Sequence, residues 1–318
     1  MYAPIVMIAF NRPAMLKSTL ERLSQASGVE KHDIFMFVDG PRNELDAIKQ
    51  KEIMNVLSYW QTKLPRIKTY QRSRNYGCRG NIVDAITQII SQYGRAIVIE
   101  DDILISRTFL EYMDRALDFY NDDKRIWSIN AYQSHNVKVP RDYPYDVYLD
   151  PINMCWGWGT WYDRWREVDF DLRDWPRDRN DSVFMDKLNK VGRHLAYMID
   201  LQYEGKLNTW DVQCTYHVVK HDLMSIEPRY QLSKNIGFSS KFKSEHCQGD
   251  RPIITRQKYY DFSPRLERDL IPDKRILHQI EWVTVPENIL MRIIRKLQRI
   301  WAYTYPPHME PLDVVSNR

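Results

Sequence analysis

"RAIVIEDDIL", residues 95–104, runs four apolar residues, Ala96 to Ile99, straight into three carboxylates, Glu100, Asp101 and Asp102. An apolar run of this length is the pattern of a β-strand buried on both faces. Three like charges side by side at the edge of an apolar interior are costly to keep ionised, and a bound cation removes that cost. Side chains alternate along an extended strand, which predicts Glu100 and Asp102 on one face and Asp101 elsewhere. One or two carboxylates, completed by waters and ligand phosphates, make a hard-cation site for Mg²⁺ or Mn²⁺. A solvated turn that caps the following helix accounts for the same residues.

Outward from this stretch the chain alternates. "PIVMIAF" (4–10) reads as a buried strand, and Pro13 stands at a first helical position before "AMLKSTLERL". "DIFMFVDG" (33–40) reads as a second strand, "ELDAIKQKEIMNVLSYW" (44–60) as a helix and "RIKTYQRS" as a third strand. "NIVDAITQIISQY" (81–93) is the helix before the fourth strand, "RAIVIE". Such alternation predicts an α/β fold, a mostly parallel sheet with flanking helices. From about residue 126 the pattern becomes α+β and irregular, with helices expected within 181–203 and 211–221. Residues 1–125 and 126–262 are therefore read as two halves of one domain. Residues 263–318 are read as an extension with an amphipathic basic helix at 287–303. In open parallel sheets ligands sit beyond the carboxyl ends of the strands. Arg12, Asp39, the segment 75–81 and Glu100 to Asp102 all fall at those ends.

The 318 residues carry a net charge of +4, too mild a balance to argue for a nucleic-acid partner. No apolar run approaches the roughly 18 residues that a membrane span requires, and no leader precedes the first strand, which predicts a cytoplasmic protein. Cys78, Cys155, Cys214 and Cys247 are far apart, the spacing of free thiols rather than of a zinc knuckle or disulfide scaffold.

"AFNRP", "VDGPRN", "RNYGCRGN" and "VIEDD", in this order, resemble a GT-A glycosyltransferase. The E-D-D form resembles the variant D-x-D motif of N-acetylglucosaminyltransferase I-like enzymes and related bacterial sugar transferases. The resemblance covers residues 3–125 and extends more loosely through "NTWD" and "NIGF" to about residue 250. It implies a UDP-sugar donor and a divalent Mn²⁺ or Mg²⁺, with Asp102 as metal ligand and Glu100 and Asp101 near the sugar and ribose. It also implies that Asp39 reads the nucleotide base and that Arg12 and Arg79 contact the nucleotide. Each arginine also reads simply as a surface charge on the first turn of a helix.

Inverting transfer requires a base for the acceptor hydroxyl. Asp211 in "NTWDVQC" matches one acid of a W-D-D-W segment in the similar enzymes; it also reads as a helix N-cap, and both roles are compatible. In "SKNIGFSSKFKSEHC" (233–247) the resemblance implies that His246 touches the metal or pyrophosphate, with Lys241 and Lys243 neutralising phosphate. An exposed histidine in a basic loop is the plainer reading. Trp156, Trp158 and Trp161 in "CWGWGTWYDRW" suit a wall for an acceptor or donor sugar, and equally a strand burying one face. The 287–303 helix suits an anionic membrane surface, where a lipid-linked glycan acceptor is met, or docking on its own domain.

Together these readings predict a metal-dependent glycosyltransferase that moves GlcNAc or another hexose from a UDP-sugar to a carbohydrate hydroxyl. The expected context is bacterial surface polysaccharide synthesis in the cytoplasm, at the inner face of the membrane if the tail helix binds there. A non-catalytic carbohydrate-binding or scaffolding protein on a degenerate transferase fold is the alternative. A sugar nucleotidyltransferase lacks its glycine-rich loop here, since "AFNRPAM" follows the first strand.

Overall fold

In the computed structural model, residues 2–134, 137–238, 258–282 and 311–312 are described. The apolar runs become β1 (Ile5–Ala9), β2 (Ile34–Val38) and β4 (Arg95–Glu100), with β3 (Ile67–Gln71) at the sheet edge. Parallel pairing sets Ile5 beside both Ile34 and Ile97, so β1 is covered by strands on both sides. Helices α1 (Pro13–Ser24), α2 (Glu44–Gln61) and α3 (Gly77–Tyr93) make the crossovers. Helix α1 starts at Pro13, whose missing N–H and fixed φ suit a first turn. Asn43 caps α2 by accepting from Asp46 N at 3.0 Å. Helix α3 begins four residues before the expected start, because its first turn is held from outside by Asp39.

After β5 (Ile103–Ile105) and α4 (Phe109–Phe119), strands β6 (Ile126–Asn130), β7 (Val147–Asp150) and β8 (Trp158–Trp161) follow. Two single-turn helices, α5 (Tyr162–Trp165) and α6 (Trp175–Asp178), lead to α7 (Ser182–Val191), α8 (Leu195–Tyr203) and α9 (Asp211–Lys220). The helical stretch expected within 181–203 is thus two helices, parted at Gly192, which is extended at the end of α7. Strand β9 (Met224–Pro228) and β10 (Ser233–Asn235) come next, then Tyr259–Tyr260 and a helix over Lys274–Trp282.

The main sheet has eight strands in the order β3-β2-β1-β4-β8-β6-β9-β7. Its first four are parallel; β8 then joins β4 and β6 antiparallel, carrying the second half of the chain into the same sheet. The α/β class with a mostly parallel sheet and flanking helices is as expected. One apolar layer packs α1, α2 and α4 on one face, through residues such as Leu16, Leu20, Ile53 and Met113. On the other face α3 and α9 cover Val6, Phe35, Val98, Trp127 and Trp158.

Candidate active site

The acidic turn lies where β4 ends. Because β4 stops at Glu100, Asp101 and Asp102 stand in a turn and strand alternation does not part them. Arg12, at the exit of β1, binds both. Its Nη2 donates to Asp101 Oδ1, its Nε to Asp101 Oδ2 at 3.3 Å, and its Nη1 to Asp102 Oδ2 at 2.9 Å. Thr19 Oγ1 donates to the Asp101 carbonyl at 2.8 Å. Burial raises the Asp101 carboxyl to about 6 against the opposing pull of Arg12, leaving it ionised at neutral pH. Burial and then the Asp102 charge push Glu100 up to about 8, so it keeps its proton there. One guanidinium and one proton offset two of the three carboxylate charges, and the remaining negative charge is what a bound cation would meet.

Among the described residues no group of three or more His, Cys, Asp or Glu side chains forms a metal cage. The donor set still fits a hard cation held by the single Asp102 carboxylate and completed by diphosphate and water oxygens. Asp102 is 8% exposed and Gly237 packs against it: a Cβ on Gly237 would lie 2.4 Å from Asp102 Oδ2. The Gly237 N–H donates to Asn235 Oδ1 at 2.7 Å, and the Ile236 N–H to the Asp102 carbonyl at 2.9 Å. The "NIGF" segment is thereby clamped to the acidic turn. Phe238 follows, with its ring 5.3 Å from that of Trp156, which meets Tyr132 at 4.4 Å. Half-buried Trp156 thus belongs to an aromatic group beside Asp102. Neither Tyr132 nor Phe238 stands out singly in the sequence, the latter only as the last residue of "NIGF".

Asp211 opens α9, whose N-cap residue is Trp210. The Asp211 carboxylate accepts a hydrogen bond from Thr209 Oγ1 and makes no N-cap bond. Trp210 is buried and stacks on Trp158 at 5.2 Å, which anchors this first turn from beneath. Asp211 is brought to the acidic edge: its charge and that of Glu100 both add to the effect of burial on the Cys78 and Cys155 thiols. Cys78 is pushed up to about 12 and Cys155 well above its ordinary value. Asn208 ties this loop to α3, lying 2.7 Å from an added Cβ on Gly77 and accepting from Arg79 N at 3.3 Å. Gly77 has φ +75°, which a side chain would strain.

Asp39 is buried at the end of β2, where its Oδ1 accepts from Gly40 N at 2.9 Å and Tyr76 N at 2.8 Å. Its Oδ2 accepts from Asn75 Nδ2 and Gly77 N, both at 3.0 Å. Burial raises this carboxyl and the N–H donors oppose the shift. Asp39 thus fastens the α3 N-terminus to the sheet through all its lone-pair sites.

Three side chains expected at the site are held by other parts of the fold. Arg79 turns to the 170–171 loop, with Nη2 donating to the Phe170 carbonyl at 2.6 Å and Asp171 Oδ1 at 2.8 Å, so its guanidinium is a tether between segments. Trp158 is fully buried and Trp161 is 2% exposed, because β8 runs inside the sheet with helices on both faces. Neither can wall a sugar. Trp161 Nε1 donates to the Leu117 carbonyl at 3.0 Å, and Trp158 lies between Trp127 and Trp210. His246, Lys241, Lys243 and the 287–303 segment lie outside the described residues.

An α/β sheet with its polar side chains gathered past the carboxyl ends of parallel strands is the architecture expected of the GT-A class. The model of the GNT-I family matches residues 1–197, and the chain belongs to that family. It is 26% identical over 206 residues to an alpha-1,3-mannosyl-glycoprotein 2-beta-N-acetylglucosaminyltransferase of Arabidopsis thaliana, covering 60% of this chain and 44% of that one. The chain therefore spans less than half the length of that relative. Among solved structures, Staphylococcus aureus TarS 1-349 is 11% identical over 72% of this chain and 57% of that chain, with a TM-score of 0.39. The mannosyltransferase PcManGT from Pyrobaculum calidifontis, in complex with GDP-Man and Mn²⁺, is 12% identical over 51% and 46%, with a TM-score of 0.35. Galactosyltransferase LgtC is 14% identical over 68% and 70%, with a TM-score of 0.36.

Proposed function

We propose that the protein is a glycosyltransferase that moves a hexose, GlcNAc above all, from a UDP-sugar to a carbohydrate hydroxyl. The observation that carries this reading is the meeting of Arg12, the Glu100–Asp102 turn and Asp211 at one sheet edge in a GNT-I family chain. Asp102 would hold Mn²⁺ or Mg²⁺ together with the donor diphosphate. The ion supplies charge neutralisation for the departing diphosphate. Arg12, already beside Asp102, is placed to add a second positive charge there. Asp211 accepts the proton of the acceptor hydroxyl as its oxygen bonds to the anomeric carbon and the bond from that carbon to the diphosphate oxygen breaks. With Asp211 as base on the face opposite the leaving group, the configuration inverts. Trp156, with Tyr132 and Phe238, offers aromatic faces to sugar C–H groups. Glu100 is placed to hydrogen-bond a sugar hydroxyl, and Asp101 fixes Arg12.

The 75–77 loop, which the saturated Asp39 carboxylate holds in place, is the surface for the nucleotide. The acceptor is a glycan, free or lipid-linked, and surface polysaccharide synthesis is the context that suits it. No helix among the described residues is long and apolar enough to cross a membrane. The test is UDP release from a panel of UDP-sugars with Mn²⁺. Asp211→Asn is expected to lower kcat by about 100-fold or more with donor affinity kept, and Asp102→Asn to abolish Mn²⁺-dependent donor binding. Donor binding and turnover unmoved by either change would leave the carbohydrate-binding reading in its place.

A further inference from the structure

Away from the acidic turn, the sheet carries a second set of polar side chains sealed from solvent. On β6, β9 and β7 the pairing sets Ser128 beside Ser225 and Ser225 beside Asp150; two residues along, Tyr148 stands beside Glu227. Residues two apart on a strand share a face, so Asp150 and Glu227 are diagonal neighbours on the face that Ser128 and Ser225 share. Asp150, Glu227, Ser128, Asn130 and Ser225 are all fully buried, and Tyr148 is 1% exposed. Asn153 lies over the array, its Oδ1 3.2 Å from Ser128 Oγ, which also meets Ser225 Oγ at 2.8 Å.

Each carboxyl has one oxygen engaged and one unpaired. Asp150 Oδ1 accepts from Ile152 N at 2.8 Å, and Glu227 Oε2 accepts from Tyr148 Oη at 2.5 Å. Asp150 Oδ2 and Glu227 Oε1 are buried with no hydrogen-bond partner, as is Asn153 Nδ2. The Asn130 amide and the Ser134 N–H act as further donors toward Glu227, favouring its charged form against the larger effects of burial and the Asp150 charge. Two buried carboxylates facing one another are strongly repelled, and two orphaned acceptors each carry a desolvation cost. A single proton removes both difficulties, since it turns one orphaned oxygen into a donor for the other.

We propose that Asp150 and Glu227 share one proton through Asp150 Oδ2 and Glu227 Oε1, directly or across one bound water, and so form an internal strut. The strut joins the segment after β6, through Ser134, to the segment after β7, through Ile152. These two segments carry Tyr132 and Trp156. The other titratable groups that bear on the pair are Tyr148 on β7 and Tyr112 on α4, both neutral because burial raises them far above their ordinary value. Burial likewise raises Asp150, to about 7, and Glu227 well above the carboxylate range, the latter reinforced by the Asp150 charge. The pair titrates as a unit.

The test compares the parent with Asp150→Asn, Glu227→Gln and the double variant in thermal melts between about pH 5 and pH 9, a range chosen to span the shifted titrations. A native proton that the unfolded chain releases makes Tm fall by several degrees across this range in the parent. The double variant is expected to lose that part of the slope, while Glu100 contributes equally to both. An infrared carbonyl stretch of a neutral carboxyl, present in the otherwise native Glu100→Gln chain at neutral pH, reports the same proton if the double variant does not fold. Equal slopes in parent and double variant, absence of that band, or a Tm raised by Mg²⁺, Ca²⁺ or K⁺ in the parent alone would overturn the proposal. The cation result would mean that both carboxylates are ionised around a metal ion.

Discussion

Arg12 grips Asp101 through both carboxylate oxygens and reaches Asp102 with its remaining nitrogen, so one guanidinium from the end of β1 closes the acidic turn at the end of β4. Asp101 is 1% exposed. Removing one partner of such a pair leaves a buried charge uncompensated. Arg12→Ala is expected to cost about 3 kcal/mol or more, measured by urea unfolding. Arg12→Lys recovers only part of this, because an ammonium cannot make the planar fork.

Glu100 sets a pH dependence of opposite sign to that of an ordinary surface carboxylate. Its ordinary value of 4.5 rises to about 8 in the fold, chiefly through burial. Its stabilising effect is complete below the unfolded value and is lost as pH rises through the folded one. Stability is therefore expected to decline from about pH 4.5 to about pH 8, and Glu100→Gln to flatten that decline. Melts of the two proteins across this range check it.

Gly237→Ala is expected to displace the Asp102 carboxylate, since the added methyl would lie 2.4 Å from Oδ2. The clash falls on a side chain at the site edge. The fold should survive, while Mn²⁺-dependent UDP-sugar turnover falls at least about tenfold, the equivalent of roughly 1.4 kcal/mol in the barrier.

The tryptophans of "CWGWGTW" are expected to divide by position. Trp158→Ala empties a fully buried site between Trp127 and Trp210 and should cost about 3–5 kcal/mol in stability. Trp156→Ala, at a half-buried position beside Phe238, should change stability less and raise the acceptor KM. Calorimetry and initial rates separate the two.

How much could be read without coordinates follows from the range of the interactions. The runs 4–10, 33–40 and 95–100 announced strands because burial on both faces demands unbroken apolar residues, and the alternation with helices announced the class. The acidic turn stands out as charge placed where a strand ends, and Asp211 through its resemblance to one acid of a W-D-D-W segment. Position then sorted the aromatic and basic candidates. Trp158 reads like Trp156 along the chain, but β8 is inserted between β4 and β6 and the first is sealed inside. Arg79 reads like Arg12, but the 170–171 loop meets the first and the acidic turn meets the second. The Asp150–Glu227 pair left no local sign, for its members are neighbours only through the register of β7 on β9.

Periodicity and composition therefore settled which segments fold, in which form, and where the acids stand, since these depend on residues a few positions apart. The counter-charge for those acids, which tryptophan stands beside the acidic turn and the meeting of Asp150 with Glu227 were settled by strand order. Such partners come from segments roughly 80 to 90 residues away, and the free energy of burying or pairing a charge depends on what finally surrounds it.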